Sequence, residues 1–139
     1  MTASQRIMLL LGYAGLIPFV IPAVVVVMGA EYSNLALRIA EAYAFGIISF
    51  LTGSWWGMAL NRDSGKTLLL SNLYFLVGLL IFVFALQWWA LAAAILLMSI
   101  YFAEQTSSIF ADLDSRYRKM RVLLTMVASA SMLTLHLAA

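Results

Sequence analysis

The stretch AYAFGIISFLTGSWWGMAL, residues 42–60, contains no charged residue. Its 19 residues fall within the range of about 17–25 that an apolar helix needs to cross a bilayer. The whole chain of 139 residues is 65% hydrophobic and 10% charged, whereas soluble domains average about 45–50% apolar and 25% charged residues. A soluble globular domain is therefore excluded, and the sequence predicts a membrane protein.

Four more stretches without Asp, Glu, Lys or Arg flank this one. Together they predict a single transmembrane domain, 1–139, with spans at about 7–30, 42–60, 67–86, 88–108 and 118–138. The fourth apolar run is short, so we expect its helix to continue past Glu104 and Gln105, through Ser108 toward Phe110. The expected fold is an all-α integral membrane protein, a compact bundle of five transmembrane helices.

The basic residues beside the spans predict the orientation. Seven of the eight Lys and Arg residues would lie on one side of the membrane: Arg6, Arg62, Lys66, Arg116, Arg118, Lys119 and Arg121. Arg38 alone would lie on the other. Because Lys and Arg are enriched in cytoplasmic loops, we expect the N-terminus inside and the C-terminus outside. The first apolar run is too long for a signal peptide and no transit peptide precedes it, which favours a bacterial inner membrane.

Composition also limits the chemistry. The chain has no cysteine and one histidine, so a thiolate metal site, an iron–sulfur cluster or a bis-histidine haem cannot form within it. No spacing typical of a catalytic constellation or a metal site is found, and we expect no cofactor. The basic residues lie beside apolar spans instead of forming a patch with aromatic residues, which argues against a nucleic-acid partner.

The first span contains Pro18 and Pro22. Proline lacks an amide proton and displaces the carbonyl four residues earlier, so a bend or local unwinding is expected. Broken helices line sites in transporters, although membrane helices also tolerate proline as a packing kink.

The second span carries small residues on one face, within a sector of roughly 80°: Ala42, Gly46, Ser49, Gly53 and Gly57. The segment from Gly53 to Gly57 matches the GxxxG pattern, which lets two helix backbones approach closely. We predict that Gly46, Ser49, Gly53 and Gly57 pack against another helix, either of the same chain or of a second copy.

Several polar and aromatic residues from different spans share a depth near the inner end of the predicted bundle: Tyr13, Trp55, Trp56, Asn72, Tyr74, Glu104, Gln105 and Arg121. Since hydrocarbon offers no hydrogen bonds, they are expected either to form one ligand or proton pocket or to point separately toward headgroups. Arg121 is a candidate partner of Glu104, and that pair is either functional or a structural ion pair at the helix ends. Trp88 and Trp89 are expected at the outer interface.

Three segments, GYAGLIPF at 12–19, EAYAFGIISFLTGSWWG at 41–57 and RYRKMRVLLT at 116–125, together resemble one family. It is an uncharacterised family of small multi-pass membrane proteins of proteobacteria, which is similar also to mitochondrial transmembrane protein 69. The resemblance implies that the GSWWG segment and the basic loop before the last span belong to the family pattern. It implies no activity.

Three functions are predicted, in descending order of support. The first is a non-enzymatic inner-membrane protein, which is either an accessory or assembly partner of another membrane protein or a lipid-binding protein. Its expected partners are the lipid bilayer and either another membrane protein or a second copy of the chain. The alternative is a small transporter or channel component that moves a small solute or protons through a pocket near Glu104. An enzyme acting on lipids comes third, because few polar groups converge.

Overall fold

All regular structure in the described residues, 1–107 and 111–139, is helical in the computed structural model of the protein. The helices are α1 (Ala3–Ala14), α2 (Ile17–Val27), α3 (Ser33–Asn61), α4 (Gly65–Phe84), α5 (Trp89–Thr106) and α6 (Ser115–Ala138). Within those ranges five segments are long and apolar enough to cross a membrane, with α1 and α2 together counting as one. The predicted five-helix membrane protein is confirmed to that extent. The predicted end of the fourth span, at residue 108, lies outside the described residues.

The first span is broken between α1 and α2, as the prolines predict. Pro18 occupies the first turn of α2, where its missing amide proton costs little. The amide of Phe19 bonds the carbonyl of Leu16, so the carbonyl of Gly15 is free to accept a hydrogen bond of 2.9 Å from the Tyr43 hydroxyl. Pro22 lies inside α2 without ending it. The break therefore attaches the first span to α3.

Helix α3 lies at the centre of the bundle and packs against α2, α4 and α5. It begins at Ser33, well before the predicted start at residue 42. Its buried face carries Ala40, Ala44, Ile48 and Trp55. Small residues along this face bring the neighbouring helices close, and the two larger side chains fill the space between them.

The glycine face of α3 does not form the predicted seam within the chain. Gly46, Gly53 and Gly57 are exposed, and a Cβ atom added at any of them would meet no atom within 4 Å. Ser49 is half-buried and its hydroxyl bonds the Phe45 carbonyl of its own helix. The intrachain prediction is wrong because the large apolar side chains lie on the opposite side of α3 and turn that side toward the bundle.

The turn between α4 and α5 is a short 3-10 helix, Leu86–Trp88. Trp88 is exposed, but Trp89 is fully buried and its indole donates a 2.9 Å hydrogen bond to the carbonyl of Glu41. Trp88 thus points outward at this turn, whereas Trp89 is turned into the bundle and ties α5 to α3.

Side-chain contacts join the segments at one end of the bundle, which we call the basic end: the start of α1, the α3–α4 connection and the start of α6. Arg62 forms an exposed 2.9 Å ion pair with Asp112. Gln5 donates to Asp114, the N-cap of α6, and accepts from Arg116. Residues of the N-terminal segment and of two predicted loops thus meet at the same end.

Candidate functional site

A buried ion pair joins α5 to α6 near the basic end. The Nη2 atom of Arg121 lies 3.0 Å from Oε2 of Glu104, and its Nε atom lies 3.3 Å from the same oxygen. Each side chain is only 7% exposed. The predicted partnership of Glu104 and Arg121 is present, and both charges are taken out of contact with hydrocarbon.

Two further side chains complete the polar network. The indole nitrogen of Trp55 donates to Oε1 of Glu104 at 3.1 Å, and Nη1 of Arg121 donates to the Thr125 hydroxyl at 3.3 Å. Both carboxylate oxygens of Glu104 are therefore hydrogen-bonded. Since Trp55 belongs to α3, the network links three helices.

Tyr74 of α4 extends this cluster through its ring. It packs edge-on against Trp55, with ring centroids 5.6 Å apart and an interplanar angle of 88°. Its hydroxyl shares a hydrogen bond with the Ser99 hydroxyl of α5. A fourth helix thereby supports the indole that faces Glu104.

A small polar cavity of about 70 Å³ opens beside the ion pair at the basic end. Glu104 and Arg121 form its inner wall, and Gln105, Tyr117 and Arg118 line the rest together with smaller residues. Among these lining residues, the positive charge of Arg121 offsets the negative charge of Glu104. The charge of Arg118 remains, so the lining as a whole is positively charged. The cavity suits a small anionic group better than a cation.

A larger apolar cleft of about 380 Å³ shares two lining residues, Tyr117 and Arg121, with the small polar cavity. It runs between the first span, α3 and α6, with Leu97 of α5 also in its lining. Leu11 and Phe50 line it too, and both are strongly exposed, at 66% and 73%. The cleft therefore opens sideways onto the apolar surface of the bundle.

The structure does not bring all predicted site residues together. Glu104, Arg121, Trp55 and Tyr74 form one cluster. Gln105 is exposed and lines only the small cavity.

The remaining three predicted residues lie elsewhere. Asn72 and Trp56 are exposed and line a separate groove of about 230 Å³ between α3 and α4. Tyr13 is exposed on α1. The expectation that Asn72 faces the bundle interior is wrong, because Asn72 is exposed and lies on the open groove beside α3.

Sequence reasoning missed Tyr117, Arg118 and Thr125. Tyr117 and Thr125 stand one helical turn before and after Arg121, so their side chains share its face of α6. This spacing could have identified them once Arg121 was recognised as buried. In the ranges that the structure describes, no group of three or more His, Asp or Glu side chains could hold a metal ion.

Comparison with known families gives one match. Residues 4–137 match the model of the family described as "Protein of unknown function (DUF3429)". Because the match covers most of the chain, the protein belongs to this family, and the resemblance to an uncharacterised family is confirmed in that form. No solved structure matches the chain.

Proposed function

We propose that this member of the DUF3429 family is a non-enzymatic membrane protein that binds one acyl chain of a membrane lipid in the cleft between its first span, α3 and α6. The observation that supports this proposal is the size of the cleft. At about 380 Å³, it falls within the range of roughly 300–1,000 Å³ that is typical of small-molecule sites.

The lining and the opening both fit an acyl chain. Apolar side chains such as Met8, Leu16 and Leu124 cover most of the cleft. The cleft is bounded by three spans and still leaves a space far larger than a water molecule, which gives room for a flexible apolar chain. Because it opens onto the apolar surface, the hydrocarbon chains of the bilayer are the molecules that reach it first.

The broken first span gives the cleft its shape. Gly12 and Gly15 both line it. A Cβ atom at Gly12 would collide with the Met120 side chain, so this glycine lets the first span approach α6 closely along one wall of the cleft. Tyr43 holds the Gly15 carbonyl and packs its ring edge-on against Phe19. The break is therefore fixed against α3, which supports a preformed site.

The test fills the cleft with a bulky side chain. Leu124 lines it, whereas its neighbour Leu123 is 46% exposed on the outside of α6. With phosphatidylcholine added to detergent-purified protein, native mass spectrometry should detect one bound lipid on the wild type and on Leu123→Trp, but none on Leu124→Trp. Met8→Trp blocks the cleft from α1 and should act like Leu124→Trp. Equal lipid binding by all four proteins would refute the proposal.

We also propose that the protein resides in a bacterial inner membrane with its N-terminus and basic end in the cytoplasm and its C-terminus outside. The seven-to-one distribution of Lys and Arg supports this orientation. The likeness to mitochondrial transmembrane protein 69 stays a prediction.

Two other functions predicted from the sequence also stay predictions. The accessory or assembly role gains an unoccupied surface, because Gly53 and Gly57 are exposed beside the Asn72 groove. The transporter role requires Glu104 to exchange its partners, since Trp55 and Arg121 bond both of its oxygens.

A further inference from the structure

We infer that the lipid held in this cleft is anionic, with its headgroup in the small polar cavity beside Arg118. The inference rests on the proposed lipid-binding function and names the class of ligand. It begins from the two cavities, which share Tyr117 and Arg121 as lining residues. A polar space and an apolar space that meet at the same side chains match the two parts of an amphiphile.

The position of the cavities matches the position of a lipid in a bilayer. The polar cavity lies at the basic end, where α5 ends and α6 begins. The cleft extends from Tyr117 along α6 as far as Ala128, a distance of about 16 Å at 1.5 Å per residue. A lipid with its headgroup at the membrane surface would therefore place its chain along the cleft.

The charge of the polar cavity selects the headgroup. Arg121 is already bound to Glu104 through two of its nitrogens, which leaves Arg118 as the cation that a ligand can neutralise. Arg118 is exposed and lines the cavity. Hydrogen bonds from guanidinium to phosphate are charge-assisted and geometrically specific, and Tyr117 and Gln105 add neutral hydrogen-bonding groups.

The neighbouring residue Lys119 provides a matched control. It is exposed on the same turn of α6 and carries the same charge, but it lines neither cavity. Arg118→Gln and Lys119→Gln therefore change the net charge of the basic end equally. A difference in lipid affinity between the two variants therefore comes from the cavity, because both variants weaken the general attraction of a basic surface for anionic lipid by the same charge.

The experiment compares phosphatidylglycerol with phosphatidylcholine of identical chains, each titrated onto the purified full-length protein in neutral detergent and followed by native mass spectrometry. The wild type should bind phosphatidylglycerol more tightly. Arg118→Gln should lower that affinity by roughly tenfold or more, the loss expected when a charged ligand loses one charge-assisted hydrogen bond. Lys119→Gln should change it by less than about twofold. Arg118→Gln should weaken phosphatidylcholine binding much less, because the choline ammonium of that lipid already offsets the charge of its phosphate.

The other outcomes separate this inference from the proposed function. Equal affinity for both lipids, with binding still lost in Leu124→Trp, would overturn the headgroup assignment and leave the acyl-chain cleft standing. Equal losses in Arg118→Gln and Lys119→Gln would also overturn it, because the preference would then arise from surface charge. Failure of the wild type to bind either lipid would refute both proposals.

Discussion

Replacing Glu104 by alanine should destabilise the protein severely. The change leaves the guanidinium of Arg121, whose side chain is 7% exposed, without its carboxylate partner and removes the acceptor of the Trp55 indole. Thr125 supplies Arg121 with one neutral hydrogen bond, which does not balance a buried charge. Removal of one partner from a buried ion pair costs about 3–5 kcal/mol in the free energy of unfolding.

The assay is reversible unfolding in detergent micelles by sodium dodecyl sulfate, followed by far-UV circular dichroism. Arg62→Ala is the control, since it breaks the pair with Asp112, whose side chains are 47% and 74% exposed. Exposed pairs contribute about 0–1 kcal/mol. The double variant Glu104→Met/Arg121→Met removes both charges together and should recover the part of the loss that comes from the unpaired guanidinium, although the Trp55 indole still lacks its acceptor.

Two results would refute this reasoning. A Glu104→Ala variant no less stable than Arg62→Ala would mean that water or lipid headgroups already compensate Arg121. A double variant as unstable as the sum of its single variants would mean that the two charges act independently and not as a pair.

Two further predictions concern Trp55 and the orientation. Trp55→Phe keeps a ring against Tyr74 but removes the donor to Glu104, so the free energy of unfolding should fall by about 1.5–3 kcal/mol. Trp56→Phe changes an exposed position and should have little effect in the same unfolding assay. Equal losses in the two variants would exclude a specific role for the Trp55 hydrogen bond. Reporter fusions should detect the C-terminus outside and a reporter inserted between Arg116 and Arg121 in the cytoplasm, and a cytoplasmic C-terminus would contradict the proposed topology.

The sequence was most informative about features that depend only on how deep a residue lies in the membrane. Glu104 and Arg121 lie beside the ends of adjacent apolar runs, and an isolated charge at that depth is costly. Their pairing could therefore be predicted without knowing how the helices rotate. The break in the first span was equally predictable, because proline acts on its own backbone.

The sequence was least informative about which side of a helix faces inward. Ile48, Leu51 and Trp55 lie roughly 160–220° around α3 from Gly53 at 100° per residue, so the same pattern permits either face to be buried. Both faces are apolar enough for lipid, and only packing volume decides between them. Asn72 illustrates the same limit, since Ser71, one residue earlier, is the one that is buried.

The Glu104–Arg121 pair also constrains how the last two spans insert into the membrane. The two residues stand on consecutive spans, and Arg121 lies six residues into α6, about 9 Å from its start at 1.5 Å per residue. Each charge alone would oppose partitioning of its helix into the bilayer, with a cost that reaches about 2.5–3.5 kcal/mol at the bilayer centre and is smaller nearer the helix ends, where these residues lie. The two helices therefore enter most readily as one hairpin with its charges already matched.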